Sequence, residues 1–493
     1  LNTDLNLVVP EIFLSVTAMG VLILETFLAG RAKRVFAHLT IAALLVTGVF
    51  LARCNLTETT FAYSRMFVQD GIAVVFKMLF MLAGIFVVLT AYDFLLSRNV
   101  FRGEFFALLM FSTVGMMLVA SAFDFLTLFV GLELASLATY ILVGLTKKDL
   151  WSNEAAIKYF LLSIFASAIL VFGISVVYAA VGTTNFGEIA GKIGEVTRRQ
   201  HTTAVVALIL LVAGFGFKIT AVPFHMYAPD VYQGAPTPVT IFLAIGPKAA
   251  AFAGLVRVLG YFAHTMTDDW LALTWVLAFM TMTVGNVAAV LQTNVKRMLA
   301  YSSIAHAGYA LIGVAAMARE NGAGALPGSV SSVIFYLFAY TLMNVGAFSL
   351  LIYMKRGSDY GEELSDFSGL WRRRPAAAVA MLVCLLSLTG IPPSIGFLGK
   401  LYIFGAAIKA ELYGLAVIGV LNSVVSLFYY LRVVVHMFVY SQQREVTDVR
   451  SFSLDLALAA SALAIVLLGI FPHVILSAIE RSAASFLTGG IIQ

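Results

Sequence analysis

Four charged side chains stand in stretches that are otherwise apolar. Glu133 lies in Phe129-Val130-Gly131-Leu132-Glu133-Leu134, and three lysines lie in Gly216-Phe217-Lys218, Gly246-Pro247-Lys248 and Leu398-Gly399-Lys400. A lysine or an acid at the centre of a membrane helix is unfavourable by about 2.5–3.5 kcal/mol on insertion scales, so such groups mark relays, ion paths or paired contacts. Burial disfavours an ammonium, whereas a carboxylate close by favours it. A glutamate that moves toward or away from a buried lysine can therefore switch that lysine between holding and releasing a proton. Glu133, Lys218, Lys248 and Lys400 are a set suited to carrying protons sideways through the membrane centre. The alternative is that Glu133 and Lys218 form a pair, and the other lysines bond to free carbonyls, merely to hold helices together.

Weaker candidates flank this set. His306, in Ser302-Ser303-Ile304-Ala305-His306-Ala307-Gly308-Tyr309, fits either a relay between two halves or a satisfied core histidine. Glu154 and Lys158, spaced i, i+4 near the start of an apolar run, fit either an interfacial pair or a proton entry. His225 follows Pro223 and is placed to link Lys218 to water. Lys77, Arg257 and Arg432 lie nearer the ends of apolar runs, where their long stems let the charge reach the interface. Asp230 reads as a turn or cap residue.

The elements that must position these groups are membrane helices. Of the 493 residues 61% are hydrophobic and only 12% charged, far from a soluble domain's charge content of roughly 25%. At about 20 apolar residues per crossing, the chain is an all-α polytopic membrane protein of about fourteen transmembrane helices with no large domain outside. Runs seven (203–232) and twelve (376–408) are the longest and contain prolines, so each is expected to be a broken helix, one around Lys218 to Pro223 and the other around Pro392 to Lys400. Both carry Gly-Phe-x-x-Lys beside the break, five crossings apart. Five is odd, so the second unit is an inverted copy of the first, as in transporters built around broken helices. The expected division is 1–103, an N-terminal three-helix segment; 104–262, the first five-helix repeat; 263–440, the second; and 441–493, a C-terminal helix. Lysine and arginine gather in alternate loops, among them Lys33, Arg34, Lys147, Lys148 and Arg372. That bias puts both termini on the outer face.

Other classes of function are disfavoured. The net charge of +5 follows topology and implies no nucleic-acid partner. There is no phosphate-binding G-x-x-x-x-G-K-[ST] loop and no strand-bounded G-x-G-x-x-G. Two cysteines, Cys54 and Cys384, are too few for an iron–sulfur cluster. No metal site is expected, and the energy for pumping must come from outside this chain or from a second ion.

Over nearly its whole length the chain resembles the antiporter-like membrane subunits of respiratory complex I, the proton-pumping NADH:quinone oxidoreductase. The residues that carry the likeness are Gly131-Leu132-Glu133-Leu134, Phe215-Gly216-Phe217-Lys218 through Pro223-Phe224-His225, Ala228-Pro229-Asp230-Val231-Tyr232, Lys296-Arg297-Met298-Leu299-Ala300-Tyr301-Ser302-Ser303-Ile304, and Leu388-Thr389-Gly390-Ile391-Pro392-Pro393 before Lys400. The opening Val9-Pro10-Glu11-Ile12, the lysine in run twelve and the lack of a long C-terminal lateral helix make it most similar to the subunit N type. The resemblance implies that Glu133 pairs with Lys218, that Lys248 continues the path, that Lys400 is the terminal exchanging group, and that Lys158 and His225 belong to the path. It also implies a bacterial inner-membrane location among lipids and other membrane subunits: a neighbouring antiporter-like subunit, and small subunits toward the quinone site. NADH, FMN, iron–sulfur clusters and quinone would be held elsewhere in the complex. Two alternatives are a subunit of a multi-subunit sodium/proton antiporter and a passive membrane scaffold.

Overall fold

Short polar side chains just ahead of apolar runs set where the helices begin. In the computed structural model, which describes residues 2–28, 30–98, 100–262, 266–319, 328–356, 359–442, 447–448 and 451–489, Asp70 accepts from the Ala73 amide at 2.8 Å, Asp124 from Leu126 at 2.7 Å and Asn294 from Arg297 at 2.9 Å. Each satisfies an amide that the first helical turn leaves free. The N-terminal part comprises α1 (Asn2–Leu7), α2 (Val9–Phe27), α3 (Val35–Ala52), an antiparallel pair β1 (Thr60–Ala62) and β2 (Phe67–Gln69), and α4 (Gly71–Ser97).

A set of five crossings follows: α5 (Gly103–Ala120), α6 (Phe125–Val143), α7 (Leu150–Val181), a broken helix of α9 (His201–Lys218) and α10 (Ala228–Gly234), and α11 (Thr237–Phe262). The amphipathic α8 (Phe186–Arg199) joins α7 to α9. The next five are α12 (Thr267–Val290), α13 (Val295–Ala316), α14 (Gly328–Tyr353), a broken helix of α16 (Pro375–Thr389) and α17 (Ile395–Lys409), and α18 (Tyr413–Phe438), with the single turn α15 (Leu370–Arg373) before α16. Last come α19 (Phe452–Ile470) and α20 (His473–Gly489). Short strands β3 (Met354–Arg356), β4 (Asp359–Tyr360) and β5 (Thr447–Asp448) pair in the order β4-β3-β5.

Among the described residues 13 helices are long and apolar enough to cross a membrane, and the two halves α16 and α17 make a further crossing between them. This matches the expected number. Each set of five runs whole, whole, whole, broken, whole, which is consistent with the expected inverted repeat. The first pair of helices in each set meets through glycines. A Cβ on Gly115 of α5 would lie 2.5 Å from the Ala135 nitrogen of α6, and one on Gly308 of α13 would lie 2.5 Å from the Met282 nitrogen of α12. Side chains as small as hydrogen let these backbones touch, which is how helices gain contact without a hydrophobic drive between them.

The breaks fall where the prolines put them. Helix α9 stops at Lys218, residues 219–227 form no regular helix, and α10 resumes with Pro229 in its first turn. Helix α16 ends at Gly390, whose φ of +93° is a left-handed conformation that suits glycine, and α17 begins after Ser394 accepts from the Phe397 amide. Pro247 inside α11 has no amide to offer the Leu243 carbonyl one turn back, and the Tyr232 hydroxyl donates to that carbonyl at 3.2 Å instead. Helices α11, α13 and α14 are almost wholly enclosed by the others, whereas α7 turns Leu161, Phe165 and Phe172 outward.

Two helices were not expected from apolar runs. Helix α8 buries only Phe186, Ile189 and Ile193 along one face, and α20 packs against α4 and α14. Three cations expected at the interface are also not all there. Lys77 is fully buried and meets Glu11 at 2.6 Å and the Gln69 side-chain oxygen at 2.7 Å. Arg257 is equally buried, donating to both Asp70 oxygens at 2.9 and 2.6 Å and to the Ala120 carbonyl at 2.6 Å. Arg432, half-buried, donates to the Val290 and Gln292 carbonyls at the end of α12. Partners brought from other helices hold these charges inside, so their stems have no need to reach for water.

Candidate proton path

The first group forms where α6, α7 and the end of α9 meet. Glu133 and Ser136 are one turn apart on α6, and Ser163 and Ser167 are one turn apart on α7, so each pair faces the same way. Lys218, the last residue of α9, points its Nζ among them. It lies 3.3 Å from Glu133 Oε1, 3.0 Å from Ser136 Oγ, 3.1 Å from Ser163 Oγ and 3.3 Å from Ser167 Oγ. Ser167 in turn donates to Glu133 Oε1 at 2.5 Å. The expected Glu133 to Lys218 pair is therefore formed, inside a ring of hydroxyls. Its position at the C-terminal end of α9 also places the cation where a helix attracts positive charge.

The second group is built by α11 and α13. Lys248 donates to the Ser303 carbonyl at 2.9 Å and to the Ser303 hydroxyl at 2.5 Å, with no carboxylate beside it among the described residues. One turn further along α13, His306 is buried between two phenols, its Nδ1 2.6 Å from Tyr336 Oη and its Nε2 3.2 Å from Tyr430 Oη. Tyr430 also shares a hydrogen bond with Ser302. His306 thus joins α13, α14 and α18, and both of its nitrogens are engaged.

The third group uses the second break. Ending α16 at Gly390 frees its last carbonyls, and the Lys400 Nζ takes two of them, Leu388 at 3.0 Å and Thr389 at 2.6 Å, together with Ser423 Oγ at 2.6 Å. The same ammonium stands 4.9 Å over the Tyr309 ring, one turn from His306. Lys248, Ser303, His306, Tyr309 and Lys400 therefore follow one another through the enclosed middle of the protein. No side-chain hydrogen bond joins Lys218 to Lys248 among the described residues.

The remaining candidates divide. Lys158 bonds Glu154 at 2.7 Å and also Asp230 at 3.0 Å, and Asp230 takes Arg297 at 2.7 Å. Asp230, expected to be only a turn or cap residue, does lie in the first turn of α10, but it is also the carboxylate shared by a cation of α7 and a cation of α13. His225 sits in the first break, half-buried, and among the described residues no hydrogen bond links it to Lys218. Sequence inspection did not single out Ser136, Ser163, Ser167, Ser303 or Ser423. The signal was present for three of them, because Ser136, Ser163 and Ser167 occupy helical spacing with their partners in otherwise apolar runs.

Among the described residues no three His, Cys, Asp or Glu side chains converge to hold a metal ion. Cys54 follows α3 and Cys384 is buried in α16, against Ser461 of α19, so the two do not form a shared site.

The fold has known counterparts. A family model described as NADH:quinone oxidoreductase/Mrp antiporter, transmembrane, matches residues 122–426, which includes both breaks and all seven candidate residues. NADH-quinone oxidoreductase subunit N of Trichlorobacter lovleyi is 41% identical over 480 residues, 97% of each chain. A chain of respiratory complex I from Thermus thermophilus, solved with bound aureothin, superposes with a TM-score of 0.80 at 31% identity, over 96% of this chain and 99% of that one. A chain of the Mrp complex from Dietzia sp. superposes with a TM-score of 0.81 at 20% identity, over 99% of both chains, a likeness of fold. The chain belongs to the NADH:quinone oxidoreductase/Mrp antiporter family, as an antiporter-like membrane subunit similar to subunit N.

Proposed function

We propose that this chain is a proton-translocating membrane subunit of an NADH:quinone oxidoreductase and that it moves protons through Glu133, Lys218, Lys248 and Lys400. The observation that carries the proposal is the Lys218 pocket, where a buried ammonium meets one carboxylate and three hydroxyls at 3.0–3.3 Å. A pair meant only to hold helices would be served as well by apolar packing. A ring of serines instead gives the lysine somewhere to donate whether or not Glu133 stays in place.

When Glu133 is close, the proton is held on Lys218. When Glu133 turns away, the proton is passed inward toward Lys248, and from there past His306 and Tyr309 to Lys400. Lys158 stands at the entry and His225 lines the first break. Quinone reduction in other subunits supplies the drive, and NADH, FMN and iron–sulfur clusters belong to those subunits. The two five-helix units, 104–262 and 263–440, act as opposed halves in a bacterial inner membrane with both termini outside.

The test is Lys218→Met in the assembled complex, in sealed vesicles fed NADH. Proton uptake per NADH oxidised should fall while the complex still assembles. Unchanged uptake would make the chain a scaffold, and uptake that depends on sodium without NADH would make it a sodium/proton antiporter.

A further inference from the structure

Four aromatic rings lie immediately beside the Lys218 pocket, toward one membrane face. Phe217 and Tyr227 stack with centroids 4.2 Å apart, Tyr227 and Tyr159 stack at 5.4 Å and 6°, and Tyr159 meets Tyr140 edge-on at 4.7 Å. All four are buried. On α6, Tyr140 is one turn beyond Ser136, and on α7, Tyr159 is one turn before Ser163. Because α6 and α7 are consecutive antiparallel crossings, both steps lead away from Lys218 toward the same end of the molecule.

On the far side of the rings, at that end, stands the partly exposed ionic group. Lys158 adjoins Tyr159, Asp230 follows Tyr227 by three residues, and the two are bonded at 3.0 Å. The rings stand between that group and Lys218, and the Tyr140 hydroxyl at their inner edge donates to Ser163 of the pocket. Tyr227 is fastened twice, through its hydroxyl to the Phe217 carbonyl at 3.1 Å and through Asp230 to cations of α7 and α13. A ring fixed to the break segment lies against a ring fixed to α7, so a small shift of the break separates them.

We infer that the Phe217–Tyr227–Tyr159–Tyr140 stack is the gate that closes the Lys218 pocket from the face bearing Lys158 and Asp230. The inference rests on the proton-path proposal for Lys218 and adds what controls access to it. The barrier is the apolar area of the rings, so removing a ring opens the pocket while removing a hydroxyl does not.

The test is done in the full complex, in vesicles exposing the Lys158 face, with Cys54→Ser and Cys384→Ser as background and Ser163→Cys as the reporter one turn inside the rings. A charged, membrane-impermeant methanethiosulfonate is added and the labelling rate measured. Tyr227→Ala should raise that rate by about tenfold or more, whereas Tyr227→Phe should leave it slow. Equal rates for the intact and Ala chains, or a Phe chain as fast as the Ala chain, would overturn the gate. Where Tyr227→Ala does not assemble, Tyr227→Leu and Tyr159→Ala replace it under the same criterion. Lys218→Met measured alongside separates the two claims. If it pumps normally, the proton path fails; if it does not pump while every ring variant labels slowly, only the gate fails.

Discussion

Replacing Arg257 by methionine should destabilise the protein far more than replacing it together with its partner. Arg257 donates to both Asp70 oxygens and to the Ala120 carbonyl, and neither charged side chain is more than 1% exposed. Arg257→Met preserves much of the volume and leaves the Asp70 carboxylate buried with, among the described residues, the Ala73 amide as its remaining hydrogen-bond partner. Breaking a buried pair from one side costs about 3–5 kcal/mol, because one charge stays behind without compensation. Arg257→Met with Asp70→Asn removes both charges, and Asn still caps α4, so most of that cost should be recovered. The coupling between the two sites in a double-mutant cycle should exceed about 2 kcal/mol. With a shift of roughly 2–4 °C per kcal/mol for chains larger than small domains, the single variant should lose about 6–20 °C in the thermal transition of the detergent-purified complex. The double variant should lose about a third of that or less. If both variants melt within 1 °C or so of the parent, Arg257 is not buried against Asp70 and reaches the interface through its stem.

Two further outcomes follow from the close contacts and from the pockets. Gly308→Val drives a side chain to within 2.5 Å of the Met282 backbone and should cost several kcal/mol, seen as lost assembly on gel filtration, whereas Gly191→Ala, with open space around it, should assemble normally. Ser303→Ala removes one of the two acceptors of Lys248, about 1.5–3 kcal/mol for a hydrogen bond to a charged group. It should slow NADH-driven proton uptake without changing the amount of assembled complex, and Ser303→Thr should restore the rate.

The candidate charges of the proposed path were legible because hydrocarbon tolerates so few of them. Glu133, Lys218, Lys248 and Lys400 stood out against apolar runs, and the prolines near Pro223 and Pro392 marked both breaks. What hydropathy could not show is which partner a helix meets. Lys77 and Arg257 looked like stems reaching for the interface because Glu11 and Asp70 lie 66 and 187 residues away in the chain. Asp230 looked like a cap because its own turn explains it, and only the folded chain brings Lys158 and Arg297 to it from two other helices. Helix α8 leaves no such mark in the sequence, since its apolar face is one residue in three or four, too sparse to form a continuous apolar run.

The ammonium groups of Lys248 and Lys400 rest on backbone carbonyls and a serine, and among the described residues no acid lies beside either. A carbonyl accepts from a neutral amine as well as from its conjugate acid, though more weakly, and a serine hydroxyl rotates to point its hydrogen at the lone pair an amine exposes. At Lys400 the Leu388 and Thr389 oxygens would take the two remaining N–H bonds while Ser423 turns from acceptor to donor. The Lys400 nest thus offers a partner for every bond of either form, so a change of protonation there would need a hydroxyl to rotate and no helix to move.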